Sequence, residues 1–250
     1  VLLGVFSAGV PRLSSDALAQ RSQSNVSPQP DNQSRGQQNI ISKRQEIEAR
    51  VPTTDYDSLE PTNPAEKIKR KNRNKHYDGR NFVMSNPSNS GSATILDNEV
   101  FFDLPALPVG QSDVIVTGDI LTSEAHLSND KTGVYSEFDI QVDEVLKGTL
   151  PTLSKTNLIS VSRPGGVVRY PSGHKELYGI AHQNMPSLGK RYLFFLKAVK
   201  DTQDYEIVTG YEIYLKRVRP LDFGARFESF SGADLADFLN KIRDAIANKN

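Results

Sequence analysis

With no cysteine among its 250 residues, the chain must draw any metal ligands from Asp, Glu and its four histidines, His76, His126, His174 and His182. Zinc-like ions take convergent His, Asp and Glu donors at short spacing. His174, Glu176 and His182 lie in one loop-rich stretch and form the one ligand set the sequence can assemble. A metal held there would suit assisted hydrolysis. Two histidines and a carboxylate in a polar loop more commonly face solvent, so a metal-assisted hydrolase stands as the alternative reading.

Other catalytic patterns lack their parts. Glu137 and Asp139, with Asp143 beyond, alternate along one stretch and share a face. An acid/base pair needs unequal environments to separate its two pKa values, and these read as equally exposed. Ser172-Gly173-His174-Lys175, Ser187-Leu188-Gly189-Lys190 and Lys131-Thr132-Gly133 match fragments of the penicillin-recognising signature. Both Ser-x-x-Lys matches contain glycine in turn contexts, so the matches are fortuitous. No nucleophile elbow, phosphate loop, dinucleotide fingerprint or calcium loop occurs. No catalytic residue and no cofactor is therefore assigned, and the enzyme class is the weaker one.

Binding chemistry is better represented. Lys67, Lys69, Arg70, Lys71, Arg73 and Lys75 put six cations into nine positions, the one concentrated charge feature in a chain that balances 30 Lys+Arg against 30 Asp+Glu. Such a cluster can meet phosphate-bearing envelope polymers, lipid headgroups or nucleic acid, or it can be a solvated helix face. The even overall charge gives no whole-chain case for nucleic acid. Seven tyrosines fall from Tyr135 to Tyr214, and Tyr170 and Tyr178 lie within the polar loops of Gly165 to Met185, the expected contact surface, as candidate stacking or contact residues.

The elements that carry these groups divide the chain. VLLGVFSAGV is an apolar run of leader length, and Ala17-Leu18-Ala19 before Gln20 is the small-x-small pattern of a secretory cleavage site. The reading is a signal peptide over 1–19 and an extracytoplasmic protein, periplasmic or secreted. No run reaches the roughly 18 apolar residues of a membrane-spanning helix. Residues 20–92 are polar and linker-like, expected to be disordered. A short helix over 42–50 and a basic one near 64–76 interrupt them, the latter with Asn63 as cap and Pro64 in its first turn. Phe82, Val83 and Met84 mark where this tether would dock.

Residues 93–250 read as the domain. Val134, Phe138, Ile140 and Val142 alternate with Tyr135, Glu137, Asp139, Gln141 and Asp143, the period of a strand with one buried and one wet face. The phase slips at Asp143-Glu144, which predicts a bulge, and Gly118 suggests another irregularity in the preceding strand. Arg191 to Val199 is apolar on both faces, so something packs behind it. Leu235, Phe238, Leu239, Ile242 and Ile246 form a helical stripe within 231–248, with Ser231 as cap. Five or six antiparallel strands and one long helix predict a mainly β fold: a small antiparallel Greek-key, OB-like barrel with a C-terminal α-helix. A β-sandwich is the alternative.

Asp113-Val114-Ile115-Val116-Thr117-Gly118-Asp119-Ile120, Val145-Leu146-Lys147-Gly148 after the long strand, and Gly189-Lys190-Arg191-Tyr192-Leu193-Phe194-Phe195-Leu196 resemble the netrin-like, TIMP-type OB barrels. The resemblance spans about Asp113–Leu196 and implies a secreted barrel used for binding. The family's best-known members inhibit metalloproteases through an N-terminal cysteine, which this chain lacks. The sequence therefore reads as an exported, non-enzymatic interaction module for a protein or an envelope polymer. A structural envelope protein whose tether is its purpose is the blander option.

Overall fold

Strand-forming residues dominate the second half of the chain, and the protein is mainly β. The computed structural model describes residues 50–79, 93–96, 104–150, 157–200 and 204–248. The leader at 1–19, the tether up to residue 49, and residues 80–92 with the docking cluster at Phe82 lie outside the described residues.

Thr53–Asp55 (β1), Ala93–Leu96 (β2), Val114–Leu127 (β3), Val134–Lys147 (β4), Leu158–Pro164 (β5), Gly166–Arg169 (β6), Lys175–Ile180 (β7), Arg191–Ala198 (β8), Tyr205–Tyr214 (β9) and Arg217–Pro220 (β10) are the strands. Pro64–Lys75 (α1), Ala225–Glu228 (α2) and Leu235–Ala247 (α3) are the helices. No helix among the described residues is long and apolar enough to cross a membrane.

Six strands form one sheet in the order β10-β9-β5-β4-β3-β8, and β9 also pairs with β8. That extra pairing closes a five-strand ring, β3-β4-β5-β9-β8. All its pairings are antiparallel except β5 with β9. The long first hairpin can coil because its register shifts. Val116 faces Val145 and Thr117 faces Glu144, but Gly118 faces Val142, so Asp143 is the extra residue at the expected phase slip. Gly118 lies where a Cβ would come within 2.4 Å of the Gln141 carbonyl oxygen, so any other residue would push the strands apart.

All five ring strands contribute to one buried cluster, including Val116, Phe138, Ile140, Val161, Phe194 and Ile207. The opposite faces of β3, β8 and β9 supply Ile115, Leu193, Phe195 and Tyr211 to a second cluster with Phe227, Phe238 and Ile242. The apolar second face of β8 is thus covered by α2 and α3. Helix α3 starts with its stripe at Leu235, four residues after the expected Ser231 cap. Gly232 sits at φ +76° in a turn, and Asp234 caps the helix by accepting from the Ala236 amide at 2.9 Å.

A smaller sheet, β1-β6-β7-β2, joins tether residues to the domain. β1 runs parallel to β6, and β2 parallel to β7. Residues 53–79 are therefore built into the folded unit and are not a linker. Their low hydrophobicity misleads because they dock through backbone pairing, ring stacking and ion pairs.

Candidate functional site

Helix α1 begins as its sequence dictates, with the Asn63 side chain accepting from the Ala65 amide at 2.9 Å and Pro64 in the first turn. One face of this basic helix turns inward. Arg73 is buried, donating through Nε to Asp204 Oδ2 at 2.9 Å and through Nη2 to Oδ1 at 2.5 Å, while its Nη1 pairs with Glu137. Burial opposes the guanidinium's charge, yet Asp204 and Glu137 together hold its pKa above the ordinary value. Burial likewise works against ionised Glu137, but Arg73 and a hydrogen bond from Ser160 outweigh it and lower its pKa.

Aromatic contacts follow at the helix's end. Tyr77 stacks on Tyr135 with ring centroids 4.1 Å apart and donates to Ser162 Oγ at 2.7 Å. Tyr135 donates to Asn74 Oδ1 at 2.6 Å, and His76 lies 3.2 Å from Glu206. The turn between β3 and β4 is fitted to this helix. Asn129 donates to the Lys71 carbonyl at 3.0 Å, and a Cβ at Gly133 would come within 2.5 Å of the Tyr77 carbonyl oxygen.

His126 lies under the same helix with Arg70 bonded to its Nδ1. An arginine only donates, so the neutral ring carries its proton on Nε2, which lies 3.8 Å from both Glu124 and Glu137 carboxylates. Burial, with help from Arg70, lowers the His126 pKa to about 4.

Between α1 and the β3–β4 turn opens a cleft of about 500 Å³. Lys67, Arg70 and Lys71 line it from the helix, Lys131 lines it from the turn, and His126 and Asn74 also contribute. One carboxylate, Glu60, lines it too, paired with Lys67. The carboxylate nearest in the turn, Asp130, is held by Ser128 and Thr132 well below the usual range. Lys131 is steadied by the Tyr56 carbonyl at 3.0 Å and lies over the Tyr56 ring. Neither Arg70 nor Lys71 is in an ion pair among the described residues. Such an arrangement concentrates positive potential and can hold an oxyanion. Arg70 keeps donors beyond the one given to His126, and Lys71 supplies a point charge.

The six cations singled out in the sequence separate. Lys67, Arg70 and Lys71 share the cleft, Arg73 is committed to internal pairs, and Lys69 and Lys75 are exposed outside its lining. Tyr178 is fully buried with its hydroxyl 2.8 Å from that of Tyr170, so it presents no stacking face. Tyr170 lines a second cavity of about 530 Å³.

The expected metal set does not assemble. No group of three His, Asp or Glu among the described residues is placed to hold an ion, His174, Glu176 and His182 included. His174 precedes β7 and His182 follows it, and a six-residue strand spans roughly 20 Å. Glu176 is buried beside Tyr178, which it helps hold in the neutral form. Asn74, Tyr56 and Lys131 are site residues that sequence reasoning missed, and His126 was noted only as one of four histidines. Only Lys131, in the turn recognised before β4, carried a usable signal, as a cation at a hairpin tip. No protein-family model matches the chain, and no curated protein matches it in sequence.

Proposed function

We propose that the protein is an exported, non-enzymatic binding module whose contact site is the cationic cleft beside α1, and whose ligand is an acidic component of the cell envelope. The observation that carries this reading is the charge of the cleft: four cations and one carboxylate around a single cavity, on a helix anchored to the sheet by Arg73. Holding like charges together is costly in a free protein, and an acidic ligand relieves that cost.

The carrier is read as a small antiparallel Greek-key barrel of the OB type, netrin-like in its sequence motifs. The ring order β3-β4-β5-β9-β8, with β5 parallel to β9, supports this reading. OB barrels serve as binding scaffolds, with function in the groups mounted on them. Residues 53–79 are those groups here, so the tether segment is part of the site.

Retention of the full chain on an immobilised phosphodiester polymer tests the proposal. Binding at 50 mM salt that falls at least tenfold by 200 mM is expected for several charge contacts. Equal retention on a neutral polymer at both salt concentrations would overturn it.

A further inference from the structure

The cleft is bordered by a second cavity of opposite character. Ser58 and Leu59 line both, so the two lie on either side of one short stretch of chain. Tyr56 of the cationic cleft and Tyr170 of the second cavity stack with centroids 5.2 Å apart, so a ring of each wall touches the other. The second cavity contains Asp55, Asp57 and Arg169. Asp55 and Arg169 neutralise each other through two hydrogen bonds of 2.5 and 2.9 Å. Asp57 is left as the cavity's net charge. Leu59, 96% exposed, stands on the shared wall as an apolar contact.

Each cavity lies in the size range of a ligand site, and each exceeds what one small inorganic ion needs. Their chemistry sorts the parts of a ligand. An acidic group is drawn to Lys71, Arg70 and Lys131 and repelled by Asp57. Hydroxyl groups are suited to the second cavity, because a carboxylate accepts hydrogen bonds from them, and the Tyr170 ring and Leu59 offer apolar surface to a sugar's C–H face.

We infer that the two cavities are adjoining subsites for one extended acidic glycan, with its phosphate or carboxylate group among the cations beside α1 and its neighbouring uncharged sugar ring beside Tyr170 and Asp57. This rests on the proposed reading of the cationic cleft. The ligand is a chain, held at two points, and not a free anion.

Isothermal titration of the full chain at pH 7 separates these claims. The probes are inorganic phosphate, a neutral oligosaccharide, a phosphate-bearing oligosaccharide and a uronate-bearing one of equal length. At least one acidic oligosaccharide should bind tenfold or more tightly than inorganic phosphate and the neutral chain. Whichever of the two wins identifies the acidic group. Asp57→Lys, at an exposed position, should weaken that oligosaccharide at least fivefold while leaving inorganic phosphate as tight or tighter. Lys71→Glu should weaken both acidic probes. If Lys71→Glu weakens binding but the acidic oligosaccharides bind no tighter than inorganic phosphate and Asp57→Lys changes nothing, the two-subsite inference fails and the cleft reading survives. If Lys71→Glu changes nothing for any probe, both fail.

Discussion

Two helices dock on the same closed sheet by opposite means. α3 delivers Phe238 and Ile242 into an apolar cluster in which the Phe238 ring lies 4.7 Å from Tyr211 and 5.2 Å from Phe230. α1 delivers Arg73 and Asn74 onto carboxylates and a tyrosine hydroxyl, and the segment that follows it adds His76 and Tyr77. The apolar contact is nondirectional and carries no group that titrates in acid. The polar one is directional and depends on protonation, and it leaves Lys67, Arg70 and Lys71 to line a cleft. A helix held by oil seals the sheet, whereas one held by ions can also present a charged surface.

The contrast can be broken most strongly from the α3 side. Phe238→Ala removes a fully buried ring and should cost about 3–5 kcal/mol, read as a fall in the denaturant midpoint with little change in ligand affinity. On the α1 side, Arg73→Ala leaves Glu137 and Asp204 facing each other without their shared cation. The expected cost is about 3 kcal/mol, and pairing it with Glu137→Gln and Asp204→Asn should recover a large part. A double- and triple-variant cycle in urea checks this.

Between pH 6.5 and about 4, acid should act first on the seat of α1. The unfolded chain protonates His126 near its ordinary 6.5, whereas the folded chain does so only at about 4. The unfolded state therefore binds more protons between those values, and stability falls as pH drops from 6.5 toward 4, by up to about 3 kcal/mol. Glu137, with its lowered pKa, adds a loss of the same sign further into acid. Amide exchange in α1 should accelerate across this window while protection of α3 persists, and His126→Phe should flatten the slope. The smallest effect belongs to Tyr77→Phe. It removes the hydroxyl bond to Ser162 but keeps the ring stack on Tyr135, at about 1 kcal/mol by thermal melt.

Legibility in the sequence follows the same division. The stripe from Leu235 to Ile246 and the two-sided apolar run in β8 announce α3 and its seat, because burial by the hydrophobic effect leaves a period in the sequence. The phase slip at Asp143 marked the bulge for the same reason. The α1 seat left no such trace. Arg73 is one cation among six, and nothing local separates it from the exposed Lys69 or Lys75. Tyr135 and Glu137 read as a wet strand face, yet both lie under α1, and Tyr135 is fully buried. Tertiary pairing with residues far off in the chain decided those positions, and composition averaged over 20–92 hid it.

In the proposed binding mode, position within the cleft, and not the helix's total charge, sets affinity. Lys69→Glu and Lys71→Glu change the net charge of α1 equally, but only Lys71 lines the cleft. Titrating both variants and the unaltered chain with the same acidic oligosaccharide at fixed salt tests the claim most directly. At least a tenfold loss is expected for Lys71→Glu and less than twofold for Lys69→Glu. Equal losses in the two variants, or none in either, would contradict it.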